Sequence, residues 1–346
     1  MSEVNASTVK LLPSGRSFSV NAHETILEAA LRQNIGLPYG CRNGACGACK
    51  GRVVEGQVKH RQYQEKALPA AESAAGQALL CCAEASSSEL VIEARESSAG
   101  EIPVKTLPCR VESIEKIHDV AVLKLKIPAS ERLQFMAGQY IDILMRDGKA
   151  RSFSLANAPH DDAFLELHIR HMAGGTFSEY VFKTMKEREI LRFKGPLGTF
   201  CLNESSDKPI VFLASGTGFA PIKGIIEHMI HQNIQRPMTL YWGGRRPADL
   251  YFHHMAESWA QQLPHFRYVP VVSDATEEDQ WTGRTGFVHQ AVLDDFADLS
   301  GHEVYACGAP VVVEAAHQSF IQERQLPADS FFSDAFFLSK DLTPKA

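Results

Sequence analysis

The segment CRNGACGAC, residues 41–49, contains three of the eight cysteines of this 346-residue chain. Cys41, Cys46 and Cys49 are separated by four and then by two residues, and Cys81 follows farther along the chain. The intervening residues are mostly small, so backbone N–H groups can approach whatever the sulfur atoms bind. Thiolates concentrated in one short loop predict a metal centre near the N-terminus.

The cysteine spacing is similar to that of plant-type ferredoxins, in which four thiolates bind a 2Fe-2S cluster. We therefore predict Cys41, Cys46, Cys49 and Cys81 as cluster ligands. Zinc also binds cysteines, usually as two CxxC pairs, so a zinc-binding, thiol-rich interaction module is the weaker alternative. Neighbouring side chains of an extended segment point in opposite directions, so we expect Cys81 to bind and Cys82 to pack.

The composition, with 45% hydrophobic and 22% charged residues, predicts a globular protein, and the lack of a signal-peptide pattern and of a membrane span predicts that it is cytoplasmic. A formal charge of −6 gives no basic field for a phosphate backbone, so nucleic acid is not an expected partner. No signal-peptide pattern is present, and no apolar run approaches the roughly 18 residues of a membrane span. In a reducing compartment, clustered thiols are metal ligands more often than disulfides.

The pattern of apolar residues divides the chain into three regions. Short extended segments and one amphipathic helix over residues 24–34, capped by Gly36, surround the cysteine loop. A β-rich region follows, which predicts an antiparallel barrel or sandwich, with two small sheets as the alternative. Strands then alternate with helices, as in a parallel α/β sheet. The predicted domains are residues 1–97, 106–206 and 207–346, with 98–105 as a linker.

The stretch Arg151-Ser152-Phe153-Ser154 follows a predicted strand over residues 140–144. A guanidinium group matches phosphate oxygens, and a flat ring matches a flat cofactor. Downstream lies GGTFS, residues 174–178, at a predicted helix start that suits a diphosphate, although Thr176 and Ser178 could simply cap the helix. The predicted flavin contacts are Arg151, Ser152, Phe153, Ser154, His168, Ile169, Arg170, Gly174, Gly175, Thr176 and Ser178.

Two predicted strands end in glycine-containing turns, SGTGFAP at residues 215–221 and CGAP at residues 307–310. The carboxyl ends of parallel strands are where α/β sheets bind ligands. Tight connections without a ligand, and Cys307 as a small buried hydrophobe, are the alternatives. The predicted coenzyme contacts are Gly216, Thr217, Gly218, Pro221, Gly243, Arg245, Arg246, Cys307 and Gly308. Arg245 and Arg246 either accept the 2′-phosphate of NADPH or form a solvated turn.

These motifs resemble those of the ferredoxin-reductase superfamily, namely RxYS, with Phe153 in place of the tyrosine, GTGxAP and CGxP. The order of ferredoxin, flavin and nicotinamide domains is similar to that of reductases that serve bacterial oxygenases and deoxysugar dehydrases. Several further segments resemble the deoxysugar members: Gln139–Asp142, Tyr268–Ser273, Trp281–Gly283, Thr285–Leu293 and Phe331–Phe336. The resemblance implies a β-grasp ferredoxin domain, an antiparallel FAD-binding β-barrel and a parallel α/β nicotinamide domain.

The same resemblance implies residue roles and a path for electrons. Arg151 would bind the flavin pyrophosphate, and Phe153 would pack against the isoalloxazine. Ser154 and Cys307 would be catalytic, with Ser154 near flavin N5 and Cys307 beside the nicotinamide. NADH, or NADPH less readily, would reduce FAD, and the cluster would pass single electrons to a pyridoxamine-phosphate sugar dehydrase or an oxygenase component. Phe336 would cover the flavin, or simply pack in the core.

Overall fold

The computed structural model describes residues 6–97, 99 and 102–337. The chain forms two compact units, one that extends to Pro103 and one that spans Val104–Phe336. The division falls inside the predicted linker, residues 98–105, of which residues 98, 100 and 101 lie outside the described residues. Lys105 already belongs to the first strand of the second unit.

The first unit is built on a mixed sheet with strand order β2-β1-β7-β3-β5, in which β1 and β7 are parallel. Helix α1 buries Ile26, Leu27, Ala29 and Ala30, and the prediction of a β-grasp domain is confirmed. The elements are β1 (Ser7–Leu12), β2 (Ser17–Val20), α1 (Ile26–Arg32), β3 (Lys50–Glu55), β4 (Val58–His60), α2 (Ala70–Ala74), β5 (Gln77–Leu79), β6 (Ala83–Ala85) and β7 (Glu89–Glu93).

Helix α1 begins with a capping box. The Thr25 hydroxyl accepts from the Glu28 N–H at 3.2 Å, and the Glu28 carboxylate accepts from the Thr25 N–H at 2.8 Å. The prediction of Gly36 as its C-terminal cap is wrong. The cap is Gln33, and Asn34 adopts the left-handed conformation with φ 55°, which asparagine tolerates because its short polar side chain bonds locally.

The second unit begins with an antiparallel sheet of strand order β11-β10-β13-β8-β9-β12. A bridge between Leu155 and Leu167 joins the two edge strands and closes the barrel around Leu123, Ile141 and Phe193. The elements are β8 (Lys105–Ile117), β9 (Val120–Lys126), β10 (Tyr140–Leu144), β11 (Ala150–Ser154), β12 (Leu165–Arg170), α3 (Thr176–Lys183) and β13 (Ile190–Leu197). The prediction of an antiparallel barrel is confirmed.

A parallel sheet of strand order β17-β16-β15-β14-β18-β19 completes the unit, with an apolar cluster on each face. Strand β14 lies between β15 and β18, so the order reverses there, and ligands bind at the carboxyl ends of such strands. The elements are β14 (Ile210–Ser215), α4 (Phe219–His231), β15 (Met238–Gly244), α5 (His253–Gln262), β16 (Phe266–Val272), β17 (Arg284–Thr285), α6 (Val288–Asp295), β18 (Glu303–Gly308), α7 (Pro310–Arg324) and β19 (Phe331–Ala335).

None of the helices in the described residues is long and apolar enough to cross a membrane.

Candidate functional site

The cysteine loop folds so that backbone amides point at sulfur atoms. The Ala45 N–H donates to the Cys41 sulfur at 3.4 Å, and the Cys41 N–H donates to the Cys46 sulfur at 3.5 Å. Gly44 has φ +74°, and a Cβ there would lie 2.7 Å from the Cβ of Tyr63. Only glycine satisfies both constraints, because other residues rarely adopt this conformation and have no room for a side chain.

The predicted ligand sulfurs are arranged as two pairs. Contact between Cys41 and Cys46 lowers the pKa of the Cys41 thiol to about 6 and raises the pKa of Cys46. Contact with Cys49 likewise raises the pKa of Cys81. Two thiolates for each of two irons is the donor set of a 2Fe-2S cluster, so the residues fit that group. In the part of the chain that the structure describes, no three His, Cys, Asp or Glu residues are arranged to hold a single metal ion.

Cys82 is not directed away from Cys81. Both residues lie in a turn, and their sulfur atoms are 3.6 Å apart. The prediction that the two side chains point in opposite directions is therefore wrong. The Cys82 sulfur lies 2.8 Å from the position that a Cβ of Gly44 would occupy, so it packs against the cysteine loop. The choice of Cys81 as the ligand therefore depends on the resemblance and stays a prediction.

The flavin-motif residues lie on β11, paired with β10. The Arg151 guanidinium donates to the Ala150 carbonyl at 2.9 Å and forms no ion pair with any described residue, so it is available for a phosphate. The half-buried Phe153 ring lies 5.2 Å from the Phe177 ring, measured between centroids. Ser152 donates to the Asp142 carboxylate at 2.7 Å, so its hydroxyl already has a protein partner.

The next predicted contacts lie on β12 and differ from one another. His168 is buried, with Nδ1 2.8 Å from the Tyr251 hydroxyl and Nε2 3.0 Å from Glu166 Oε1. Ile169 is buried in the barrel core. Both side chains are thus used inside the protein, and a flavin contact from His168 or Ile169 would have to come from the backbone.

The segment from Gly174 to Ser178 forms a tight turn into α3. Gly174 has φ +76°, and Gly175 is the N-cap residue. The Ser178 hydroxyl lies 3.1 Å from the Met172 amide and from the Met172 and Gly175 carbonyls, so it closes the turn. No side chain of the described residues caps the first amides of α3, so the capping alternative for Thr176 and Ser178 is wrong. Thr176 is exposed at the start of the helix, beside the amide groups that suit a diphosphate.

Arg170 connects the flavin barrel to the nicotinamide domain. Its NH1 donates to Asp119 at 3.0 Å and to Asp249 at 2.6 Å. Its NH2 is buried with no hydrogen-bond partner, and a Cβ at Gly216 would lie 3.5 Å from it. The second guanidinium nitrogen is therefore directed at the turn after β14, where it can donate to a bound ligand, and the flavin contact of Arg170 stays a prediction.

The turns after β14 and β18 touch each other at the reversal of the strand order. A Cβ on Gly218 would lie 2.1 Å from the Cys307 carbonyl oxygen, and one on Gly308 would lie 2.4 Å from the Ser215 carbonyl oxygen. Gly308 also has φ +130°. Backbone N–H groups of both turns, with the half-buried Thr217 between them, thus border one small region.

Two other predicted coenzyme residues serve packing. Pro221 is buried in the first turn of α4, where proline fits because the N–H lacks a helical partner anyway. A Cβ on Gly243 would lie 2.7 Å from the Cβ of Val288, so glycine at this position allows α6 to approach β15.

Strands β11, β18 and β19 bring Ser154, Cys307 and Asp334 together. The Ser154 hydroxyl donates to the Asp334 carboxylate at 3.5 Å, and Asp334 is the register partner of Cys307. Burial, with a smaller effect from Asp334, raises the pKa of the Cys307 thiol, which therefore stays protonated. The Phe336 N–H donates to the Gly308 carbonyl at 2.8 Å, so Phe336 lies beside the second turn. Asp334 belongs to none of the predicted cofactor motifs, and in the sequence it is marked only by the segment Phe331–Phe336.

The two predicted arginines after β15 have different surroundings. Arg246 forms two contacts of 3.0 Å with the Asp279 carboxylate and donates to the Thr276 hydroxyl at 2.9 Å. Arg245 is exposed, and its side chain pairs with no carboxylate of the described residues. Arg246 thus already has an acidic partner, whereas Arg245 has none among the described residues.

Comparisons with known proteins agree with this architecture. Family models match residues 9–86 (2Fe-2S iron-sulfur cluster binding domain), 108–201 (oxidoreductase FAD-binding domain) and 212–318 (oxidoreductase NAD-binding domain). The chain is 44% identical over 334 residues to the CDP-6-deoxy-L-threo-D-glycero-4-hexulose-3-dehydrase reductase of Yersinia pestis, covering 96% of this chain and 99% of that one. The chain belongs to the ferredoxin-NAD(P) reductase superfamily.

This superfamily member is an NAD(P)H-dependent iron-sulfur flavoprotein reductase, and the predictions of 2Fe-2S, FAD and nicotinamide cofactors are confirmed. It is 33% identical to reductase component 1 of terephthalate 1,2-dioxygenase from Comamonas, over 93% of this chain and 95% of that one. Among solved structures it is similar to the cytochrome P450 reductase of Amycolatopsis, with a TM-score of 0.76 and 32% identity over 95% of this chain and 98% of that one.

Proposed function

We propose that this reductase takes a hydride from NADH in the cytoplasm and delivers electrons to a pyridoxamine-phosphate dehydrase of deoxysugar synthesis. It would then be a counterpart of CDP-6-deoxy-delta-3,4-glucoseen reductase. The observation that carries the proposal is the 44% identity to a hexulose-dehydrase reductase over nearly the full length of both chains, against 33% to an oxygenase reductase. Bound FAD would supply two-electron chemistry towards the nicotinamide and one-electron chemistry towards the cluster.

The flavin would be held by the residues that the protein leaves available on the barrel. Arg151 has no carboxylate partner among the described residues, and the exposed Thr176 lies beside the N-terminal amides of α3. Both groups favour a pyrophosphate, Arg151 through its charge and the helix through its dipole. The Phe153 ring offers a flat apolar surface for the isoalloxazine, and Gly174 and Gly175 let the backbone come close.

The coenzyme would bind at the two glycine turns. The backbone of Gly216–Gly218 and Gly308 offers N–H donors, and the buried NH2 of Arg170 faces the same turn. NADH is the coenzyme that we favour, because the Arg246 guanidinium is already bonded to Asp279 and Thr276, which leaves Arg245 alone to meet a 2′-phosphate. The resemblance supports NADH as well.

The chemistry would take place where β11 meets the nicotinamide sheet. The Ser154 hydroxyl donates a hydrogen bond of 3.5 Å to the Asp334 carboxylate, which would orient the hydroxyl beside the flavin. Cys307 stays neutral in its buried position, so it can line the nicotinamide pocket without placing a charge beside the ring. Phe336, hydrogen-bonded through its backbone to Gly308, would cover the flavin before the coenzyme enters.

Reconstitution with candidate partners tests the proposal. The reductase, NADH, a purified pyridoxamine-phosphate dehydrase and its sugar nucleotide should together yield the deoxygenated sugar, and omission of the reductase should abolish it. An aromatic-ring oxygenase is the second candidate acceptor, supported by the 33% identity to the terephthalate enzyme's reductase. Efficient transfer to the oxygenase with none to the dehydrase would reverse the assignment.

A further inference from the structure

Lys223 is a buried cation near the start of α4, five residues beyond the last glycine of the Gly216–Gly218 turn. Its side chain is 7% exposed. The ammonium group lies 3.1 Å from the Glu166 carboxylate, 2.9 Å from the Glu227 carboxylate and 3.2 Å from the Ala156 carbonyl oxygen. An ammonium has three N–H donors, which matches the number of these acceptor groups.

The acceptors join two parts of the second unit. Glu227 belongs to α4 itself, whereas Glu166 lies on β12 of the flavin barrel and Ala156 follows Ser154 by two residues. The Ala156 N–H also donates to the Glu166 carbonyl at 2.8 Å, so both barrel acceptors belong to one hydrogen-bonded segment. Lys223 thus connects the helix after the nicotinamide turn to the segment after the flavin-motif serine.

A second bridge reaches the same carboxylate. Burial lowers the pKa of His168, so its ring is neutral, and it contacts both Glu166 and the Tyr251 hydroxyl of the nicotinamide domain. Burial alone would raise the pKa of Glu166, but His168 and Lys223 lower it to about 2. Glu166 therefore stays ionised at neutral pH and bonds to both Lys223 and His168.

The backbones approach closely at this point. A Cβ on Gly224 would lie 3.0 Å from the Asn157 carbonyl oxygen and 3.4 Å from that of Leu155. An apolar side chain in place of Lys223 could fill the same volume. It would not fix the orientation of α4 relative to the barrel, because apolar contacts are non-directional. A buried ion pair adds little net stability compared with apolar packing, and specificity of arrangement is one reason to retain it.

We propose that Lys223 is a positioning residue for hydride transfer. Its bonds to Glu166 and to the Ala156 carbonyl fix the Gly216–Gly218 turn relative to Ser154, and therefore fix the nicotinamide relative to the flavin. This inference rests on the proposed function, since it assumes that NADH reduces the flavin at this junction.

Two substitutions distinguish an effect on the position of the glycine turn from an effect on the stability of the protein. Lys223→Met should slow flavin reduction by NADH roughly 10- to 100-fold in stopped flow at saturating coenzyme, because small displacements of reacting groups cost that much. Its FAD content should stay unchanged. The double variant Lys223→Met with Glu166→Gln leaves fewer unpaired buried charges, so its melting temperature should recover relative to Lys223→Met while the slow rate persists.

A buried ion pair elsewhere in the same domain supplies the matched control. Arg236 and Glu303 are 2.8 Å apart, with side chains 6% and 4% exposed, and Glu303 begins β18 at the end opposite the glycine turns. Arg236→Met should lower the melting temperature and leave flavin reduction within about twofold of the wild-type rate, since catalysis depends on local geometry at the junction.

Hydrogen exchange gives a readout independent of turnover. In the FAD-loaded protein without coenzyme, amides of residues 215–219 should exchange faster in both Lys223 variants than in the wild type and in Arg236→Met. Lys223→Met with a wild-type rate and exchange, recovery of the rate together with the melting temperature in the double variant, or equal slowing in Arg236→Met would each overturn the proposal. A wild-type flavin that NADH does not reduce would instead reject the proposed function.

Discussion

Ser154 and Asp334 come together from the flavin-motif strand and the last strand of the nicotinamide sheet, 3.5 Å apart. Cys307 lies beside them as the register partner of Asp334, buried and neutral. At this junction a single carboxylate orients a hydroxyl and faces a region bordered by two glycine turns. The side chain that acts on the reacting atoms is therefore expected to be Ser154, with Asp334 setting its orientation.

Asp334→Ala tests this pair. Loss of the carboxylate leaves the Ser154 hydroxyl free to rotate, so we expect flavin reduction by NADH to slow about a hundredfold, the scale of an oriented proton-bearing group. FAD content after gel filtration should match the wild type, because the predicted flavin-phosphate residues Arg151 and Thr176 lie on other elements, β11 and α3. An unchanged rate in stopped flow would show that Ser154 needs no orientation by Asp334.

Cys46→Ser tests the metal centre. Serine is a poor ligand for iron where the site is built for thiolates, so the cluster should be lost or severely impaired. Reduction of cytochrome c should fall to background, whereas reduction of ferricyanide by the flavin should persist. The iron and acid-labile sulfide contents give the direct measurement. Equal loss of both activities would argue against separate flavin and cluster centres.

The sequence predicts the functional residues that belong to a short motif with a recognisable chemical role. The cysteine loop, Arg151, Ser154 and the glycine turns belong to this class. Asp334, Lys223 and Glu166 do not, because their partners are distant in sequence and the contacts arise only when β12, β19 and α4 pack together. His168 is predicted as a flavin contact because segment 168–170 precedes the GGTFS turn, but its ring is buried in the interior.

At the scale of elements, the loop after β16 folds back onto the end of β15. The Asp274 N–H donates to the Arg245 carbonyl at 2.8 Å, and Asp279 and Thr276 hold the Arg246 side chain. The coenzyme's adenosine would bind near these strand ends, so this loop decides which charges a 2′-phosphate would meet.

Asp279→Asn should shift the coenzyme preference towards NADPH. Without the carboxylate, the Arg246 guanidinium becomes available to a 2′-phosphate, and a charged hydrogen bond of this kind corresponds to roughly a tenfold gain in NADP⁺ affinity. Calorimetric titration with NADP⁺ and NAD⁺ measures the change. Adding Arg246→Ala to the variant should cancel the gain, and an unchanged ratio of affinities would show that Arg246 lies out of reach of the coenzyme.

Element prediction succeeded where periodicity was regular. Strand β10 has the predicted bounds, residues 140–144, and α1 lies within the helix predicted over residues 24–34. Strand β13, Ile190–Leu197, was not predicted, because its sequence ILRFKGPL mixes charges with glycine and proline and shows no clean alternation. The hydrogen bonds to β8 and β10 stabilise this strand, although its own sequence does not favour one.

The second unit contains its own apolar cores in both halves, and none of the described core residues comes from the first unit. A variant that starts at Val104 should therefore fold and bind FAD. It should reduce ferricyanide with NADH at a rate similar to the full chain but should not reduce cytochrome c, because it lacks the cluster cysteines. Failure to bind FAD, measured by visible absorbance, would show that the second unit depends on the first.

The contact between the two glycine turns restricts which positions of this protein can accept substitutions. Any side chain at Gly218 or Gly308 would collide with the main chain of the opposite turn, so compensation would require both strands to move. The rim formed by Arg245, Arg246 and Asp279 carries no such restriction. Divergence among descendants of this enzyme should thus alter coenzyme choice at the rim, while the two glycine turns that bring nicotinamide to flavin keep their sequence.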